Sequence, residues 1–380
     1  KYLSSDTSGD RIKEGEVFYN SSDQKLKLFA SSAAWHSSGD LNNARGNGGS
    51  AGTATSAFVA SGYDTTAVSN TEEYNGTGFT IGANVNTARP QTAGAGTATA
   101  GLIAGGFEPP STGKTEEYNG TSWSEQNDMN VERRTISGTA GTQTAALYFG
   151  GYRDITPTPN GAMNSTESYN GTSWSNEPAL NTAVWGNTGD GTQTAAVSAG
   201  GPPTQTEHYD GSSWTTDAAI NTAKIYSAAA GTTSNILIYG GTTDGGDTGL
   251  TGTTELYDGT SWTETADMAV ARRGLGKAGS YNNAVAMGGL GPAKANTEEF
   301  TISLTATTGA SYSSGGNTNN ARRNAGCMGT QTAGLYAGGF GPPYLNYSEE
   351  YNGTSWTEGN NLTIVRECST SGFGTQTAGA

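Results

Sequence analysis

The sequence predicts an all-β fold made from one four-stranded sheet repeated along the chain. Three observations carry this. The phrase TEEYNGTSW at 115–123 returns as TESYNGTSW at 166–174, TEHYDGSSW at 206–214, TELYDGTSW at 254–262 and SEEYNGTSW at 348–356; residues 71–79 repeat it with Phe79 in the Trp place. The copies recur at intervals of the length used by arrays and propellers. Each interval also holds the same order of short β-forming runs, separated by Gly pairs and by Asn-Gly or Asp-Gly.

Composition narrows the function classes. The chain has 380 residues, of which 58 are Gly, and only 14% are charged. A formal net charge of −15 argues against a nucleic-acid partner, which calls for a basic stripe. No apolar run is long enough for a membrane-spanning helix, so membrane insertion is not expected. Cys327 and Cys368 make no disulfide framework. The polar, Gly-rich composition approaches that of disordered chains, but regularly spaced Tyr and Trp anchors argue for a folded core.

The elements follow in order. Residues 1–15 are polar and unpatterned and read as an N-terminal tether; residues 16–380 form the array. Residues 16–20 and 25–29 are two β-rich runs joined by a polar turn, and Trp35 then stands in the place of the phrase's Trp. After most aromatic anchors a polar stretch ends in a basic residue or pair: Arg45, Arg89, Arg133-Arg134, Lys224, Arg272-Arg273, Arg322-Arg323 and Arg366. The fourth repeat departs from this, with Val184 and Trp185 there. Next comes a strand of small residues (a), and then an apolar strand closed by a Gly pair (b). A loop of variable length leads to the Thr-Glu-x-Tyr strand (c), and Asn-Gly or Asp-Gly turns the chain into the Trp strand (d). Those dipeptides predict type I′ hairpins, whose central residues both need positive φ.

One such sheet cannot bury both faces alone, and packing face to face in a ring solves this. The d place is filled by Trp35, Phe79, Trp123, Trp174, Trp214, Trp262, Tyr312 and Trp356. The chain begins with b-c-d and ends with a. The leftovers predict about eight blades, closed by residues 16–20 pairing with 373–377; seven blades with loose ends is the alternative.

The ordered combination of basic residue, Gly-Gly, Glu-x-Tyr and Trp resembles the kelch repeat of β-propellers over residues 16–380. Its wording, GTQTA…GG with TEEYNGTSW, also resembles kelch-like virion and tail-fibre proteins of bacteriophages, marine ones especially. That resemblance implies a non-enzymatic virion module, on a tail fibre or capsid surface. Its partners would be other virion subunits or a host surface glycan or receptor. A secreted or cell-surface lectin-like kelch protein of a cellular organism is the alternative.

Candidate chemistry is weighed against structural roles. The repeated first Glu of strand c (Glu72, Glu116, Glu167, Glu207, Glu255, Glu298, Glu349) reads as the partner of the repeated basic residue, in buried pairs at blade junctions. The aromatics read as inter-blade core. Asp244 and Asp247 supply too few oxygens for calcium. His36 and His208 fall in different repeats, and His208 sits in a slot that elsewhere holds Leu256, so neither is expected to bind a metal. The cysteines read as buried small hydrophobes, with a disulfide conceivable. No nucleophile elbow, Walker loop or zinc spacing occurs, so neither an enzyme nor a cofactor is expected.

Specificity is expected on the b–c loops, which run from four residues (202–205) to fourteen (152–165), while the a–b and c–d turns hardly vary. The candidate contact residues there are Phe107, Tyr152, Arg153, Asp244, Asp247, Phe340 and Tyr344. Contacts are expected to centre on 107–114, 152–165, 242–253 and 340–347.

Overall fold

A computed structural model describes residues 2–3, 17–20, 25–134, 138–154, 161–202, 204–291, 294–308, 316–330, 332–367 and 374–379. Every regular element among them is a β-strand. The chain divides into a larger unit containing Phe29–Ala306 and a smaller one containing Val17–Leu28 and Thr307–Ala380.

The larger unit is β-propeller-like. Its first sheet is Gly49–Thr53, Ser56–Ala60, Thr71–Tyr74 and Phe79–Ile81, hydrogen-bonded antiparallel in that order. The second runs from Ala93–Thr97 to Trp123–Gln126, and the third from Gly138–Thr142 to Trp174–Glu177. The fourth runs from Thr188–Thr192 to Trp214–Asp217, and the fifth from Ala228–Gly231 to Trp262–Glu264. The sixth takes Gly276–Ser280, Asn283–Met287 and Thr297–Thr308 in order, and its outer strand is the N-terminal Lys25–Ser37.

Strand a of each sheet packs beside strand a of the next, and that of the sixth lies beside that of the first. Small residues permit this approach. A Cβ on Gly94 would collide with the backbone of Ser50 on the neighbouring inner strand. Just before strand a, one backbone bond links neighbouring sheets at four of the six junctions: Gln91 N donates to Asn47 O at 2.6 Å, Asn47 N to Gly274 O at 2.8 Å, Gly274 N to Tyr226 O at 2.8 Å, and Tyr226 N to Gly186 O at 2.8 Å. The Asn47–Gly274 bond joins the first sheet to the sixth.

Side chains repeat the linkage. The indole N–H of Trp123 donates to Thr71 Oγ1 of the preceding sheet at 2.9 Å, Trp174 to Thr115 at 3.0 Å, Trp214 to Thr166 at 3.2 Å, and Trp35 to Thr254 at 3.1 Å. The c-strand phenols reach backwards as well. Tyr118 donates to Glu73, Tyr169 to Glu117, Tyr257 to Asp217, and Tyr74 of the first sheet to Glu299 of the sixth. Phe300 has no hydroxyl, and the acceptor place in the sheet before it holds Leu256. His208 packs against Tyr257 with ring centroids 5.3 Å apart and lies 3.5 Å from Asp217, inside this junction.

The repeated cation–carboxylate pairs are present and buried. Arg45 meets Glu72, Arg89 meets Glu116, Arg133 meets Glu167 and Lys224 meets Glu255, each at 2.5 Å; Arg272 meets Glu298. Each pair lies within one repeat, where the segment entering strand a crosses strand c. Burial holds the Arg45, Arg133 and Arg272 guanidinium pKa values below normal against the raising effect of the paired carboxylates.

The structure corrects the closing pair. The larger unit cycles through six sheets, in which Trp35 is the d aromatic of the sheet that carries Phe300 rather than of a blade of its own. Residues 16–20 were expected to pair with 373–377. Instead Val17–Asn20 pairs antiparallel with Lys25–Leu28 and, through Tyr19 and Asn20, parallel with Tyr2–Leu3, and Gly374–Thr375 pairs with Ala378–Gly379.

The smaller unit holds one further repeat: Gly326–Thr330, Ala333–Ala337, Ser348–Tyr351 and Trp356–Glu358. Arg322 meets Glu349 at 2.7 Å there. Gln376, in the turn of the next a–b hairpin, donates to Gly334 O at 3.2 Å and Tyr351 O at 3.1 Å, as Gln143 does to Gly101 O and Tyr118 O in the larger unit. Trp123, Trp174, Trp214 and Trp262 are buried, but Trp356 is only half-buried, because its sheet is less covered. Cys327 is a free, exposed thiol rather than a buried one. Tyr312 and Cys368 lie outside the described residues.

The c–d turns also differ from expectation. Tyr118 faces Trp123, leaving a four-residue loop, and only Gly120 within it has positive φ (87°). The Asn119 carboxamide oxygen accepts from the N–H groups of Thr121 and Ser122, both at 2.9 Å. That side-chain turn replaces the I′ geometry.

Candidate functional site

Just past the cation of each repeat the chain rises to one face of the larger unit, where the b–c loops also emerge. In the third repeat the residue after Arg133 is Arg134. Its guanidinium lies 5.1 Å from the centroid of Phe107 and 4.8 Å from that of Tyr152, a flat cation between two aromatic faces. Arg134 donates to Asp154 and, at 3.1 Å, to Gln91 Oε1. The Asp154 pairing raises the Arg134 pKa, and the Arg134 hydrogen bond lowers that of Asp154.

The band continues from sheet to sheet. Tyr152 meets Trp185 edge-on at 6.5 Å, Trp185 meets Tyr226 at 5.7 Å, and Arg273 stands 5.4 Å over Tyr226. Arg273 also bonds Asp247 at 2.8 Å. Tyr226 is buried with φ 58°, a conformation that aims its ring back across this face. Phe107, Arg134, Tyr152, Trp185 and Arg273 are half-buried, so each keeps an accessible edge. Such a surface can stack on a flat apolar face and donate several hydrogen bonds beside it.

Of the residues expected from sequence, Phe107 and Tyr152 share Arg134, and Asp247 joins through Arg273. Arg153 turns aside to Glu132 at 3.1 Å. Asp244 is exposed, but its carboxylate accepts from Thr248, Thr242 and Gly246 N of its own loop, and those bonds hold it well below the usual carboxylate range. Phe340 and Tyr344 belong to the smaller unit, where they pack together at 5.1 Å with Arg323 over Phe340. Residues 155–160 of the longest loop lie outside the described residues.

Sequence reasoning missed Arg134, Trp185, Tyr226 and Arg273, which hold the band together. The signal was available: they stand one or two residues past the cation slot, where other repeats have Gly46, Pro90 or Gly274.

A second feature lies on the axis. The inner strands line a cavity of about 130 Å³ walled mainly by Gly, Ala, Ser and Thr. Two charged side chains enter it. Lys277 crosses from the sixth sheet to the Thr139 carbonyl at 3.3 Å and the Gly189 carbonyl. The Asp190 carboxylate accepts from Gly191 N at 2.9 Å and Gly231 N at 2.8 Å. Burial among protein lowers the pKa of Lys277 and raises that of Asp190. Each keeps some accessible area because it faces the cavity. Among the described residues no three His, Cys, Asp or Glu side chains gather as a metal site.

Compared with known protein families and with curated proteins, the chain matches none.

Proposed function

We propose that this chain is a non-enzymatic, kelch-like propeller of a virion, on a phage tail fibre or capsid surface, and that the b–c face of its six-sheet unit contacts a host surface glycan or receptor. The band from Phe107 through Arg134, Tyr152, Trp185 and Tyr226 to Arg273 is the single observation that carries this reading. Rings with one accessible edge suit the C–H face of a sugar, and the arginines beside them suit its hydroxyl or carboxylate oxygens. The band is mounted on loops whose lengths vary while the strands beneath stay constant, which is how binding surfaces are commonly built. The repeat wording of the sequence supports a virion setting and other virion subunits as further partners.

Glycan-array screening followed by titration calorimetry tests the binding face. Trp185→Ala and Tyr152→Ala should each weaken binding by about 1–2 kcal/mol, roughly tenfold. Thr121→Ala, in a c–d turn at the opposite end of the strands, should leave it unchanged. Contacts that map to the c–d turns would reverse the assignment and make stacking between virion subunits the better account. Genomic neighbours outside tail and capsid genes would favour a secreted or cell-surface lectin.

A further inference from the structure

The fourth repeat keeps a cation's surroundings without the cation. In the other repeats the long cation from the segment before strand a ends on the Oε1 atom of the c-strand Glu. In all five repeats whose cation is an arginine it also donates to at least two backbone carbonyls. Arg133 shows the pattern, with Gly150 O at 3.0 Å, Ser165 O at 2.9 Å and Glu167 Oε1 at 2.5 Å. Arg45 uses Ser61 O and Asn70 O in the same way, and Arg322 uses Gly338 O and Tyr347 O.

In the fourth repeat the cation's place is taken by Val184, while Glu207 remains and is 4% exposed. Its Oε2 accepts from Asn181 N at 2.7 Å and Nδ2 at 3.0 Å, and its Oε1 from Thr182 N at 3.1 Å. Among the described residues no Lys, Arg or His side chain pairs with it. Val184 is shorter than Arg, and beside it is a void of about 10 Å³, lined by Thr182, Val184, Ser198, Gly200, Gln205 and Glu207. Gly200 and Gln205 are the counterparts of Gly150 and Ser165. A void of this size takes one water-sized occupant.

We infer that this pocket binds a single dehydrated monovalent cation, potassium or ammonium, on the Glu207 carboxylate and the Gly200 and Gln205 carbonyls, in the place the arginine head occupies elsewhere. A buried carboxylate needs a countercharge, and five sister repeats show this carboxylate position taking one. Carbonyl oxygens with one carboxylate replace the hydration shell of a monovalent ion well. A divalent ion would call for more carboxylates than this pocket offers.

The test compares the full chain in potassium, ammonium and choline chloride at equal ionic strength. Potassium or ammonium should raise the melting temperature saturably, by roughly 2–4 °C over choline, which is too large to enter. The rise should vanish in Glu207→Gln, which lacks the charge, and in Val184→Arg, which supplies the cation covalently. Crystals grown in rubidium chloride should show an anomalous peak beside Glu207 Oε1. Equal melting in all three salts, or a potassium effect that survives Glu207→Gln, would overturn the site. If Val184→Arg fails to fold, Glu207→Gln and the rubidium peak still decide. No peak and no salt specificity would mean that the slot holds only water.

Discussion

Each sheet junction rests on a few side-chain hydrogen bonds, and the Trp-to-Thr bond is missing at two; at one of them Trp262 donates instead to Ala218 O at 3.0 Å, and the Thr206 hydroxyl is buried with no partner. At the other, the first sheet has Phe79 where its neighbours have Trp. The Thr297 hydroxyl of the sixth sheet, the counterpart of Thr71 and Thr115, is accordingly buried with no partner. Phe79→Trp should supply the donor and raise stability by about 1 kcal/mol, read as a higher urea midpoint with unchanged slope. An unchanged or lower midpoint would show that the slot cannot take the larger ring. At this scale much was legible. The buried Arg–Glu pairs followed from one Glu and one basic residue per repeat, and burial of Trp123, Trp174, Trp214 and Trp262 followed from their recurrence. The phenol-to-acid links were not legible, because the acceptor changes strand, from Glu73 and Glu117 on strand c to Asp217 on strand d. The arginines of the band were read only as repeats of the structural cation. Which of two adjacent arginines is buried depends on strand register, which composition does not reveal.

Strands and turns carry the next level. The four strands of each repeat stand where β-propensity and Gly pairs placed them, and in Thr166–Tyr169 the adjacent Thr166 and Glu167 are both buried, so both faces of the strand are covered. The turn type was misread, since Asn-Gly also suits a longer loop in which the Asn side chain does the capping. Two repeats use Asp instead, at Asp210 and Asp258. Hydrogen bonds from Ser212 and Ser213 pull the Asp210 pKa down to about 2. The folded value lies below the unfolded one, so the turn's contribution is present above about pH 4 and is lost as pH falls toward 2. Asp210→Asn should fold normally, since Asn119 and Asn170 already serve in that place, and should flatten this part of the acid denaturation curve. Carboxyl chemical shifts followed against pH would check the Asp210 value directly. A midpoint near 4 would mean that the turn hydrogen bonds do not persist in solution.

Across the larger unit, the cycle closes after six sheets because the chain lends its early strand to its last sheet. Deleting residues 307–380 should therefore leave a cooperative unfolding transition within a few degrees of the full chain. Deleting residues 1–37 should remove it or lower it sharply, because Thr297–Thr308 loses its outer neighbour and Trp35 leaves Tyr239 and Phe300. Differential scanning calorimetry of the two truncations distinguishes these outcomes, and the reverse order would restore a larger ring. Repeat counting could not settle the number, because eight d-type aromatics are visible in sequence but not which sheet Trp35 completes. Partner choice between distant strands is a tertiary property, decided here by an outer edge that the N-terminal strand alone fills.

That borrowed strand also sets a timetable. Ser32 meets Ser303 across a separation of 271 residues. A ribosome adding about 5–20 residues per second would leave roughly 14–54 s between the synthesis of the two partners. Throughout that interval the first-made strand has an open edge and an uncovered Trp35, the kind of surface that recruits a neighbouring nascent chain. Crowded expression should therefore favour exchange of Lys25–Ser37 between copies, and slower, cooler synthesis should favour each chain closing on itself.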